Sequence, residues 1–89
     1  MAYKIIIANE KLWLKDLTKI PSREQKMILD KIENLSQKLP QEAIQVKKLI
    51  NFELADYRLR IGNYRILFDK DDEQKLIILF RILHRSHAY

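Results

Sequence analysis

Two short runs of alternating apolar and polar residues follow one another almost directly. Tyr57-Arg58-Leu59-Arg60-Ile61 and Tyr64-Arg65-Ile66-Leu67-Phe68 are separated only by Gly62-Asn63. Alternation with period two is a strand pattern, and a two-residue loop that begins with glycine predicts a tight β-hairpin. Glycine at the first loop position suits a type II′ turn, which needs φ > 0 there. With that loop, Ile61 faces Tyr64, Arg60 faces Arg65 and Leu59 faces Ile66. One face then holds Tyr57, Leu59, Ile61, Tyr64, Ile66 and Phe68, and the other holds Arg58, Arg60 and Arg65 with Leu67 among them.

The remaining pattern supplies the other elements. Tyr3 to Ala8 reads as a strand, with Ile5, Ile6 and Ile7 buried on both sides. Asn9 is a cap for a helix to about Thr18, in which Trp13 and Leu17, followed by Ile20, recur at helical spacing. Pro21 breaks the chain, and Ser22-Arg23-Glu24-Gln25 reads as a capping box in which Ser22 caps and Gln25 reaches back. A second helix follows on Ile28, Ile32, Leu35 and Leu39, with charged residues on its other face, and Pro40 ends it. Gln41 to Phe52 carries little pattern; Lys47-Lys48-Leu49 is either a short strand or an ordered loop. Asp69 to Glu73 reads as a solvated turn, since it lacks the glycine and spaced glutamate of an EF-hand. Leu76 to Leu83 is apolar except for Arg81 and reads as a central strand. The order β-α-α-β-β-β predicts a single α+β domain over residues 1–89. Its sheet is antiparallel-rich, with both helices packed on one face and the arginine face open. Leu59, Ile66, Ile28, Ile32 and Leu35 should share its core.

Composition narrows the class. In 89 residues, 47% are hydrophobic and 33% charged, which is the balance of a folded domain. The net charge of +5 favours a polyanionic or acidic partner. No cysteine is present, which excludes disulfides and thiolate metal sites. The apolar start of the chain is too short for a signal-peptide core or a membrane span, so a cytoplasmic protein without membrane contact is expected.

The arginine face carries the candidate chemistry. Like charges directly opposite on a sheet destabilise it, so Arg60 facing Arg65 makes sense if an anion sits between them. A guanidinium grips phosphate with a planar fork of donors; the blander alternative is a solvated basic face. His84 and His87 lack a third ligand at metal spacing, so no metal and no cofactor is expected. Gly62 is the only glycine, which excludes a glycine-rich phosphate loop. The remaining inventory is Arg58, Arg60, Arg65, Arg81 and Arg85 with Lys47 and Lys48, beside Tyr89, His84 and His87. Arginines stabilise charge developing on a phosphoryl oxygen, and a tyrosine or histidine moves protons. Such a set suits RNA cleavage by the RNA's own 2′-hydroxyl, which needs neither a metal nor a protein nucleophile.

Tyr57 to Phe68, the ending Arg81 to Tyr89 and the upstream Lys48-Leu49 together resemble the RelE/ParE superfamily of bacterial toxins, over essentially the whole chain. The ending His84-Arg85-x-x-Ala88-Tyr89 looks more like the RelE side. That resemblance implies a ribosome-dependent endoribonuclease that cuts mRNA in the decoding site. It also implies a cognate antitoxin, which the charge predicts to be acidic, in a toxin–antitoxin hetero-oligomer. By the same resemblance Arg65 is the phosphate-stabilising arginine, and Arg85 and Tyr89 are the basic residue and tyrosine of the tail. The expected catalytic set is Arg65, Tyr89, Arg85 and Arg60. The expected RNA-binding set is Arg58, Arg60, Lys47, Lys48, Arg81 and His84. Where some members carry a further basic residue before the tail, this chain has Leu83 and His84. Two alternatives stay open: a ParE-like inhibitor of DNA gyrase without nuclease chemistry, and a basic RNA-binding domain without activity.

Overall fold

A computed structural model describes residues 3–37, 46–50 and 55–86. The elements are β1 (Lys4–Ile7), α1 (Glu10–Thr18), α2 (Ser22–Gln37), β2 (Val46–Lys48), β3 (Tyr57–Ile61), β4 (Tyr64–Asp71) and β5 (Leu76–His84). The sheet order is β1-β5-β4-β3-β2, with β1 parallel to β5 and the other pairs antiparallel. The α+β class and the antiparallel-rich sheet therefore stand, and β5 is central over its first half. Val46–Lys48 adds a strand that pairs with β3, which decides between the two readings of Lys47-Lys48-Leu49. Asp69 and Asp71 lie within β4 rather than in the turn, which is confined to residues 72–75. Pro40 and Leu39 fall outside the described residues.

The hairpin forms in the expected register: Tyr57 opposite Phe68, Leu59 opposite Ile66, Arg60 opposite Arg65 and Ile61 opposite Tyr64. Gly62 sits at φ +54°, the conformation that glycine adopts without steric cost. The apolar hairpin face meets the helices. Leu59, Ile61, Ile66 and Phe68 join Trp13, Ile20, Ile28, Ile32 and Leu35 in one core, with Ile77, Leu79 and Ile82 from β5.

β1 is not buried on both sides, since Ile6 is exposed while Ile5 and Ile7 are half-buried, and three further details depart from the sequence reading. Asn9 caps α1 as expected, its side chain accepting the Leu12 N–H at 3.1 Å. Ser22, however, is already helical, and the Pro21 carbonyl accepts the Glu24 and Gln25 N–H groups. The Gln25 amide therefore does not close a capping box. It donates instead to the Leu17 and Ile20 carbonyls at 2.9 and 2.8 Å, satisfying orphan acceptors at the end of α1. Second, the β4–β5 register shifts between Leu67 and Phe68: Leu67 faces Arg81 and Phe68 faces Leu79, so Phe80 is an extra residue. A bulge reverses the facing of every later side chain. Third, Leu67 is 0% exposed although it lies outside the main core cluster. The arginine face is thus covered at its middle rather than open throughout.

Candidate nucleic-acid interface

The sheet register builds the site as two rows on the face away from the core. Arg60, Arg65 and Leu83 stand opposite one another across β3, β4 and β5. Lys47, Arg58, Leu67 and Arg81 form the next row across β2 to β5. Neighbouring strands lie about 4.8 Å apart and alternate residues about 6.6 Å apart, so the cations share one small grid. Arg60 is exposed, while Arg58 and Arg65 are half-buried.

Arg65 bends toward the hairpin turn. Its Nη1 donates to the Gly62 carbonyl at 3.1 Å and to the Tyr64 carbonyl at 3.0 Å. Arg85 follows β5, and its backbone N–H donates to the Asn63 carbonyl at 2.7 Å. The turn therefore gathers Arg60, Arg65 and the backbone of Arg85 at one end of the sheet. Tyr89 and His87, expected beside them, lie outside the described residues.

Not all of the expected cations share that face. Lys48 pairs with Tyr57, which places it on the helix side at the sheet edge. His84 pairs with Tyr64, again on the helix side, and its ring meets the Tyr64 ring edge-on at 5.6 Å. The Ser86 N–H donates to His84 Nδ1 at 3.3 Å, with the Ser86 hydroxyl 2.9 Å from the same nitrogen. A neutral imidazole accepting there carries its proton on Nε2.

Arg81 is engaged by an acid. Its Nε lies 2.7 Å from Asp16 Oδ2 and its Nη2 2.9 Å from Oδ1, a bidentate pair. The same Asp16 Oδ2 accepts the Ile82 N–H at 3.2 Å. Burial pushes the Asp16 carboxyl up, but the Arg81 and Ile82 hydrogen bonds, with the charges of Arg81 and Lys19, outweigh it and hold it below the ordinary value. A cleft of about 380 Å³ opens beside this pair, between the end of α1 and β5, with Lys19, Tyr64 and His84 on its walls.

Two contacts that pattern reading did not single out constrain the chemistry. Asp16 is one. The other is Glu24, whose Oε2 accepts the Tyr64 hydroxyl at 2.7 Å. That hydrogen bond, then burial and the Glu24 charge, raise the Tyr64 pKa above that of a free phenol. The Tyr64 hydroxyl is thus committed to α2 on the helix side of the sheet, away from the face that holds Arg60 and Arg65. Each pairing joins residues far apart in sequence, and no local spacing announces either one. Among the described residues no group of three or more His, Asp or Glu could hold a metal ion, and no helix is long and apolar enough to cross a membrane.

Comparison with known proteins places this architecture. Residues 10–89 match the family described as the ParE toxin of the type II toxin–antitoxin system, parDE. Toxin RelG of Mycobacterium tuberculosis is 33% identical over 76 residues, covering 84% of each chain. Toxin RelE3 of Methanocaldococcus jannaschii is 33% identical over 89 residues, covering 97% of this chain and 94% of the relative. Among solved structures, the archaeal RelE–RelB complex from Pyrococcus horikoshii OT3 superposes with a TM-score of 0.75 at 27% identity, covering 99% of this chain and all of that one. The RelB–RelE antitoxin–toxin complex from Methanococcus jannaschii gives a TM-score of 0.66 at 31% identity, with 91% of each chain covered. With that family match over most of its length and relatives of this kind, the chain belongs to the RelE/ParE superfamily of type II toxin–antitoxin toxins, on its RelE-like side.

Proposed function

We propose that this toxin is an endoribonuclease that cuts mRNA on the ribosome and so stops translation. The observation that carries the reading is the Arg60–Arg65 cross-strand pair, with Arg58 and Lys47 in the adjoining row. Facing cations cost folding stability, and a phosphodiester lying across them offsets that cost. In this reaction the 2′-oxygen attacks the adjacent phosphorus and the bond from phosphorus to the 5′-oxygen breaks. A 2′,3′-cyclic phosphate and a 5′-hydroxyl result. Arg65, Arg60 and Arg85 stabilise the charge that builds on the phosphoryl oxygens. Tyr89 accepts the proton of the 2′-hydroxyl as its phenolate, the form that neighbouring guanidinium charge favours, and the leaving oxygen takes one up from solvent or from the tail. Arg58 and Lys47 hold the flanking phosphates.

A cognate acidic antitoxin covers the same cations in a cytoplasmic toxin–antitoxin hetero-oligomer. The neighbouring RelE–RelB complexes support that partner. The second reading, docking on DNA gyrase, draws support from the ParE family match over residues 10–89.

One experiment separates the two. Purified toxin is added to ribosomes programmed with a defined mRNA, and in parallel to gyrase with relaxed plasmid. Cleavage leaving 2′,3′-cyclic phosphate ends, lost by about 10²–10³-fold in Arg65→Ala at unchanged Tm, is the expected result. Intact mRNA with blocked supercoiling would establish the gyrase reading instead.

A further inference from the structure

Among the described residues, no strand pairs with the outer side of the end of β5. β1 pairs with β5 only as far as Leu79, opposite Ile7, and the Ala8 N–H closes that ladder on the Leu79 carbonyl. The bulge at Phe80 follows at once. Beyond it the first outward backbone donor is the Ile82 N–H, and the group that takes it is the carboxylate of Asp16 from α1. Asp16 is 6% exposed, and it holds the Arg81 guanidinium as well, so one side chain receives three donors from two successive β5 residues. Three residues past Ile82, Arg85 reaches the hairpin turn through its N–H to Asn63.

We infer that Asp16 is a positioning residue for the site, holding the bulged end of β5 so that Arg85 is presented at the Gly62-Asn63 turn beside Arg65. The inference rests on the proposed phosphate-binding role of Arg65 and Arg85. It gives Arg81 a different task from RNA binding: Arg81 is the handle by which α1 grips β5. The geometry suits that task. A bidentate guanidinium–carboxylate pair fixes both distance and orientation, whereas a single hydrogen bond leaves rotation free. The bulge supplies the re-aiming that such features give next to functional sites, and Asp16 locks its outcome. No acid beside an RNA-binding face helps to bind RNA by its charge. Its burial under three donors is what makes a positional role the economical explanation.

The test combines two measurements on Asp16→Asn and Asp16→Ala in the full chain. Amide hydrogen exchange by NMR reads the clamp directly and needs no activity. Loss of protection at Ile82 and Arg85, with β1 and the first half of β5 unchanged, is the expected result. Turnover on programmed ribosomes reads the consequence: kcat falls by about 10²-fold, as for a misplaced catalytic group, while KM stays near that of the parent. Arg81→Lys, which keeps charge but not the fork, should lie between the parent and Asp16→Ala in both readouts. Faster exchange across the whole sheet would overturn the inference, because Asp16 would then be a general stabiliser. So would protection lost at Ile82 alone with kcat unchanged. If the parent protein cleaves no RNA, the proposed function fails, and protection at Arg85 still decides the clamp. Asp16→Asn, which keeps the volume and one acceptor oxygen, serves if Asp16→Ala does not fold.

Discussion

Tyr3 lies almost fully buried, and its hydroxyl donates to Asp72 Oδ1 at 2.6 Å. That hydrogen bond, then burial and the Asp72 charge, push its pKa up to about 12. A group whose folded pKa exceeds its unfolded value stabilises fully below the unfolded value, near 10 for tyrosine, and loses that contribution as pH rises through the folded one. Thermal melts from pH 9 to 12 should therefore show an alkaline decline in Tm that Tyr3→Phe reduces; an identical decline in both proteins would refute the assignment. Asp16 has the opposite sign. Its folded pKa is depressed, so its contribution is present above about pH 4 and lost as pH falls through the folded value. Individual residues were unevenly legible in the sequence. Arg60 opposite Arg65 followed from alternation across a two-residue loop, because local geometry fixes that pair. Asp16 with Arg81 and Glu24 with Tyr64 did not, because tertiary packing alone brings them together. Tyr89 is tested chemically: Tyr89→Phe keeps the ring and removes the proton acceptor, and single-turnover cleavage should slow by about 10²–10⁴-fold. Normal cleavage by Phe but not by Ala would make the ring a stacking platform.

At the scale of elements, the hairpin and the two helices were written in period, caps and turn residues. Gly62 makes this testable. A Cβ there would meet Met27 Cε at 3.6 Å, an ordinary contact, so the cost of Gly62→Ala comes from its φ of +54°. Denaturant unfolding should place that cost at about 1–2 kcal/mol, with Gly62→Asn costing less because asparagine tolerates the left-handed region. Ile66→Ala, in a position with no exposure, should cost about 2–5 kcal/mol. The elements that escaped reading were those whose partners are not local. Gln25 stood at the right spacing for a capping box, yet the turn at Pro21 aims its amide at the carbonyls of α1. A single-residue bulge leaves no mark in a run as uniformly apolar as Leu76 to Phe80, so the parity of Arg81 and Leu83 was not readable. Three-residue β2 is too short to show a period, and it exists because β3 offers it an edge.

Across the whole molecule, charge is arranged differently at the two ends of the sheet. At the β4–β5 turn opposite charges meet: Lys70 Nζ lies 2.6 Å from Asp72 Oδ2, and Asp71 accepts the Glu73 and Gln74 N–H groups. Toward the hairpin turn like meets like, with Arg60 facing Arg65 and Lys47 facing Arg58. Those facing cations, in a chain of net charge +5, make a field that orients the molecule toward a polyanion before contact. An acidic antitoxin that docks on the cations is drawn in by the same field, so its association should be fast at low salt. Raising ionic strength from about 0.01 M to 0.15 M shortens the Debye length from about 30 to 8 Å, and the association rate should fall steeply over that range. Replacing Lys47, Arg58 and Arg60 together by alanine should flatten the dependence, while the dissociation rate changes less, as steering by surface charge requires. Stopped-flow mixing at four or five salt concentrations measures both slopes. A parent rate that does not respond to salt, or a triple variant with the parent's slope, would mean that the antitoxin docks away from the arginine face and neutralises the toxin without covering it.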